Sequence, residues 1–127
     1  MDILLDTHAA KWFLDGDKRL SKPAMEAIYD PGNSIYISIV SVWEVAIKLS
    51  IGKLQVNGGI NQIIEAVDDN GFLLLDISLE HITELVKLPF IHRDPFDRML
   101  IAQAKAEDMA IMTADANITE YDIKHIW

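Results

Sequence analysis

The chain has 127 residues, half of them apolar and 24% charged, with no cysteine. That length and composition suit one soluble globular domain spanning residues 1–127, and the lack of cysteine excludes a disulfide framework, thiolate chemistry and Cys-ligated zinc. The net charge of −9, from 11 basic and 20 acidic residues, argues against gripping nucleic acid through a basic footprint, unless several acids are ligands whose bound cations offset their charge. No apolar run is long enough for a membrane span, and the N-terminal Met1 to Asp6 is too short and too acidic for a signal peptide. A cytoplasmic location is expected.

Ile3-Leu4-Leu5 is a continuous apolar run that reads as a central buried strand ending at Asp6. Helical periodicity follows over Ala9 to Leu14 and stops at Asp15-Gly16. Ser21-Lys22-Pro23 opens a second helix to about Tyr29. Ile35-Tyr36-Ile37 is the second strand. Ser41-Val42-Trp43-Glu44 has the form of a capping box, and its helix runs to about Ile51 with Gly52 as the stop. Leu54 to Gly59 reads as irregular, Ile60 to Asn70 as a helix closed by Gly71, and Phe72 to Leu75 as the third strand. A short helix starts at Ser78 and is broken by Pro89.

Asp94 then reads as the N-cap of a further helix, with Pro95 in its first position and Asp97 at its third. This helix is apolar on most sides, which predicts burial, and Asp97 is in line with Ile101 and Ala104 on a face expected to point inward. Ala110-Ile111-Met112 is the fourth strand. A helical turn near Ile118 to Tyr121 and an edge strand within Ile123 to Trp127 complete the chain. Strands alternating with helices predict an α/β fold: a mostly parallel central sheet of four to five strands flanked by helices.

Ligands of open parallel sheets bind beyond the carboxyl ends of the strands, and four acids fall there: Asp6 after strand one, Glu44 on the helix after strand two, Asp97 on the helix feeding strand four, and Asp115 just past strand four. Each also has a local reading. Glu44 suits a capping box with Ser41 or an i, i+4 pair with Lys48, Asp97 the positive end of a helix dipole, and Asp115 a turn or cap. Asp6 has no evident local role. Together, carboxylates at one edge repel and call for cations, and an all-oxygen set suits Mg²⁺ or Mn²⁺, one or two per site. Such ions support phosphodiester hydrolysis without a Ser, Cys or His nucleophile. His81, His92 and His125 show no metal-ligand spacing, and Trp12, Trp43 and Trp127 read as core or interface packing.

The stretches Leu4-Leu5-Asp6-Thr7-His8, Ser41 to Lys48, Gly52-Lys53-Leu54, His92 to Ala104 and Thr113-Ala114-Asp115 resemble, in order and over essentially the whole chain, a PIN domain. More closely they resemble the VapC-type toxins of bacterial type II toxin–antitoxin pairs. The resemblance implies a PIN-like sandwich and a divalent-metal-dependent endoribonuclease whose metal-binding and catalytic acids fall on Asp6, Glu44, Asp97 and Asp115. It also implies an RNA substrate, a homodimer, and a small VapB-type antitoxin as partner. Two other readings stand beside it: a non-catalytic RNA- or antitoxin-binding module of the same fold, and a receiver-type phosphoacceptor built on Asp76.

Overall fold

The run Ile3-Leu4-Leu5 forms the middle of the molecule, as the strand of a sheet covered on both faces. The computed structural model describes residues 1–127. Its elements are β1 (Asp2–Leu5), α1 (Thr7–Asp15), α2 (Lys22–Tyr29), β2 (Ser34–Ser38), α3 (Ile39–Ser50), α4 (Gly59–Asp69), β3 (Leu73–Leu75), α5 (Leu79–Lys87), α6 (Pro95–Glu107), β4 (Ala110–Met112), α7 (Ala116–Thr119) and β5 (His125–Ile126). The sheet order is β3-β2-β1-β4-β5 and every pairing is parallel. This differs from the β2-β1-β3-β4-β5 order of receiver domains, which removes the phosphoacceptor reading of Asp76.

Side chains alternate across the sheet because the strand period is two. Ile3 and Leu5 enter one core with Ala9 and Ala10 of α1, Ala24 and Ile28 of α2, and Val67 of α4. Leu4 enters the other with Leu100, Ile101, Ala102 and Ala104 of α6, Ile111 of β4 and Ile118 of α7. α3 contributes to both, Val40 to the second and Val42 against the first. α6 is buried from Leu100 to Ala104, as its apolar surround predicts. Within it Ala102 and Ala104 present only a methyl group each to the core, between the larger Leu100, Ile101 and Gln103.

Asp94 caps α6 as expected, its Oδ1 accepting from Phe96 N at 2.9 Å and Asp97 N at 3.0 Å. The predicted Ser41–Glu44 capping box does not form. β2 passes directly into α3, and the cap is Ser38, whose Oγ accepts from Val40 N at 3.0 Å. Ser41 and Glu44 are therefore interior to the helix, which places Glu44 in its second turn. The capping box occurs instead in α5, where Ser78 Oγ accepts from His81 N and His81 Nδ1 accepts from Ser78 N.

One buried polar chain ties these pieces together. Ser38 Oγ donates to Gln103 Oε1 at 2.6 Å, while Gln103 Nε2 reaches the Asp76 carbonyl and His81 Nδ1. His81 Nε2 meets Glu107 Oε1 at 2.9 Å. Every buried side-chain polar atom has a partner, so the network joins α5, α6 and the end of β2 without leaving an unsatisfied group. No helix is long and apolar enough to cross a membrane.

Candidate active site

β1 and β4 are neighbours, yet the chain leaves β1 toward β2 and returns to β4 from the other side. This is the switch point at which open α/β sheets form a crevice. Asp6 emerges at the end of β1, its backbone N–H held by the Met112 carbonyl at 3.1 Å. It is buried, and it has the local role that the sequence concealed: it caps α1, with Oδ1 accepting from Ala9 N at 2.7 Å. Burial raises the Asp6 carboxyl above its ordinary range, and the negative charge of Asp115 adds to the rise. The Thr113 hydroxyl, the Ala9 N–H and His8 oppose it.

Asp115 follows β4 and caps α7, accepting from Asn117 N at 2.9 Å, while its own N–H donates to Thr113 Oγ1 at 3.0 Å. Glu44 comes from α3. The Thr7 hydroxyl donates to Glu44 Oε1 at 2.8 Å and is 2.9 Å from the Ser41 hydroxyl; Lys48 Nζ meets Glu44 Oε2 at 3.1 Å. The i, i+4 pairing with Lys48 read from the sequence is thus present. Asp97, in the first turn of α6, has its side chain 18% exposed. Burial first, then the charge of Asp94, pushes its carboxyl up to about 6; Asp115 and Glu44 add to the rise and His92 offsets part of it. The charge of Asp115 therefore acts on both Asp6 and Asp97, and that of Glu44 on Asp97, so strands β1 and β4 and helices α3 and α6 bring the four acids to one electrostatic neighbourhood.

A model of the PIN domain family matches residues 3–124. The chain is a PIN domain. A search of curated proteins finds no match to the sequence. Among solved structures, the PIN domain is similar to a chain of VapBC2 from Rickettsia felis bound to a promoter DNA fragment, with TM-score 0.77, 13% identity, and coverage of 100% of this chain and 99% of that one. It is also similar to VapBC-1 from nontypeable Haemophilus influenzae, with TM-score 0.75, 15% identity, and coverage of 99% and 97%. A toxin–antitoxin complex from Klebsiella pneumoniae gives TM-score 0.68 and 20% identity, with coverage of 98% and 96%. At these identities the likeness concerns the fold.

The donor chemistry of the PIN domain's crevice fits a hard divalent cation: it consists of carboxylate oxygens, and burial and neighbouring negative charge disfavour ionisation of Asp6 and Asp97. The ligand shell is not assembled, however, since no three His, Asp or Glu side chains are arranged to hold one ion. Protein donors occupy the carboxylates instead, most fully at Glu44, where both oxygens are engaged.

Thr7 gave no sequence signal, because its partner Glu44 is 37 residues away. His92 lacked metal-ligand spacing, yet its Nε2 is 3.4 Å from Asp97 Oδ2 and its Nδ1 is 2.9 Å from the Tyr121 hydroxyl. Trp12 packs edge-on against Trp127 with the Arg19 guanidinium over its ring. Trp43 is different: it meets Phe96 edge-on at 5.2 Å and remains more than half exposed beside the acids.

Proposed function

We propose that this PIN domain is a Mg²⁺- or Mn²⁺-dependent endoribonuclease and the toxin of a toxin–antitoxin pair. The observation that carries the reading is the convergence of Asp6, Glu44, Asp97 and Asp115 on the switch point, where burial and mutual repulsion already raise two of them. Asp6, Asp97 and Glu44, with Asp115, would hold the cation. When bound, a divalent ion supplies an activated water at neutral pH and offsets phosphodiester charge. Asp6 and Asp115 are placed by the ends of two hydrogen-bonded strands. Glu44 is aimed by the Thr7 hydroxyl and restrained by Lys48, whose ammonium would be available to an RNA phosphate if Glu44 served a cation instead.

The fold likeness to VapBC structures supports a small VapB-type antitoxin as partner. A cavity of about 520 Å³ between α1, α3 and α4, lined by Leu14, Val42, Val45, Leu54 and Ile63 among others, offers an apolar seat for a segment of it. A homodimer accounts for α5, where Leu79 and Val86, both 82% exposed, and Ile82 share one face near exposed Phe90. A cytoplasmic location would suit this function, and no helix is long and apolar enough to cross a membrane.

The test is cleavage of a labelled RNA with Mn²⁺ or Mg²⁺ and with EDTA, using wild type, Asp6→Asn and Asp97→Asn. Metal-dependent cleavage lost in both folded variants is expected. Full cleavage by both variants sinks the assignment. Unassembled carboxylates favour a second reading, a non-catalytic binding module, and RNA affinity indifferent to EDTA with no Mn²⁺ binding by calorimetry would establish it.

A further inference from the structure

The Tyr121 hydroxyl, buried on the Leu4 side of the sheet, has three neighbours. The His92 backbone N–H points to it at 3.3 Å and Arg98 Nη1 at 3.0 Å. Both are obligate donors, so they occupy the two acceptor positions of the oxygen. Its single proton is left for the third neighbour, His92 Nδ1, at 2.9 Å. Nδ1 is thereby an acceptor, and the ring carries its hydrogen on Nε2, the nitrogen that faces Asp97 Oδ2 at 3.4 Å. No protein donor is assigned to the other oxygen, Asp97 Oδ1.

We propose that Tyr121 and His92 are positioning residues: Tyr121 fixes the Nε2–H tautomer of His92, which holds one oxygen of Asp97 and leaves the other turned free for a cation. The inference rests on the metal-nuclease reading for its purpose, and on hydrogen-bond counting for its geometry. Arg98 belongs to the device, because its guanidinium is what keeps the Tyr121 oxygen from accepting a proton from Nδ1. Arg98 is in turn fixed by the Pro89 carbonyl at 2.9 Å and by the Phe90 ring, 4.7 Å from the guanidinium carbon. Outer-shell hydrogen bonds of this kind orient the groups that touch a metal.

The first measurement is the tautomer itself, read from histidine ring nitrogen shifts in the ¹⁵N-labelled, metal-free protein. A pyrrole-type Nε2 and pyridine-type Nδ1 at His92 are expected, with the other tautomer gaining population in Tyr121→Phe. A predominant Nδ1–H ring in wild type overturns the relay. The second is Mn²⁺ affinity by calorimetry. Tyr121→Phe, which keeps the buried ring, and His92→Ala should each lose roughly ten-fold in affinity, and the double variant no more than His92→Ala alone. His92→Gln, which restores an N–H toward Asp97 without needing Tyr121, should recover most of the loss. Unchanged affinity in Tyr121→Phe and His92→Ala overturns the positioning role. Failure of wild type to bind Mn²⁺ overturns the nuclease reading instead, while the ring tautomer still decides the relay.

Discussion

Asp97→Asn should stabilise the protein while destroying its activity. A carboxyl displaced from 3.8 to about 6 is disfavoured in its ionised form by about 3 kcal/mol, the result of burial and of the charges of Asp94, Asp115 and Glu44. Asn removes the charge and keeps a carbonyl oxygen to accept from His92 Nε2. Its amide N–H₂ must be desolvated in return, which leaves a net gain of about 1–2 kcal/mol at pH 7. For a domain of this size that corresponds to about 4–8 °C in Tm. The sign with pH is fixed by linkage. An acid raised in the folded state binds its proton more tightly there than in the unfolded chain, so wild type gains stability as pH falls from 7 through about 6 toward 3.8. The Asn variant lacks that increment, and the difference should close by about pH 4. Urea or thermal unfolding in EDTA at several pH values measures this. With Mn²⁺ present the order should reverse, since only wild type gains from ligand binding. A variant less stable than wild type at pH 7 in EDTA, or a difference that ignores pH, would refute the reasoning.

Three further outcomes follow from the same geometry. Asp94→Asn should cost less than about 1 kcal/mol, because Asn caps nearly as well, and it should retain cleavage while Asp97 titrates lower than in wild type; NMR titration and the RNA assay check both. Mn²⁺ affinity should weaken below about pH 6, approaching ten-fold per pH unit for one displaced proton; calorimetry that finds equal affinity at pH 5 and 7 would count against Asp97 as a ligand. Val86→Asp, on the exposed face of α5, should leave the fold intact and yield a monomer by light scattering if that face joins two copies. An unchanged dimer would move the interface elsewhere.

Much of this was legible in sequence, for local reasons. The buried strands announce themselves as apolar runs, and Asp94-Pro95 marks the start of α6 because cap and first-turn chemistry act over a few residues. What escaped depends on tertiary placement. Ser38 sits in an apolar-polar alternation with Ile37 and Ile39 that looks like continuing strand, so the pattern places the start of α3 at Ser41 and not at Ser38, its actual cap. Asp6 shows no local role in the sequence because α1 begins at the very next residue, with no loop to betray a cap. The mostly parallel sheet expected is parallel throughout. The edge position of the four acids follows from the strand pattern, whereas the contacts that hold them do not: Thr7 reaches Glu44 across 37 residues, and His92 reaches Tyr121 across 29. Nothing in either neighbourhood specifies its partner.

The two buried alanines of α6 carry a consequence for how this crevice can change. Ala102 and Ala104 are fully buried in the core that also holds Leu4, Val40 and Ile111, so that side of the helix is closely packed. An added methylene there cannot be absorbed without moving backbone or neighbours, typically at about 1–3 kcal/mol. α6 behaves as a stiff arm whose far end bears Asp97, and a shim at Ala102 would tilt that end relative to Asp6 and Asp115, which are fixed to the strands. The position of Asp97 against the sheet thus depends in part on two buried methyl groups remote from the acids. A graded series at Ala102 (Gly, Ser, Val) would shift Asp97 by steps while leaving the chemistry of every acid unchanged.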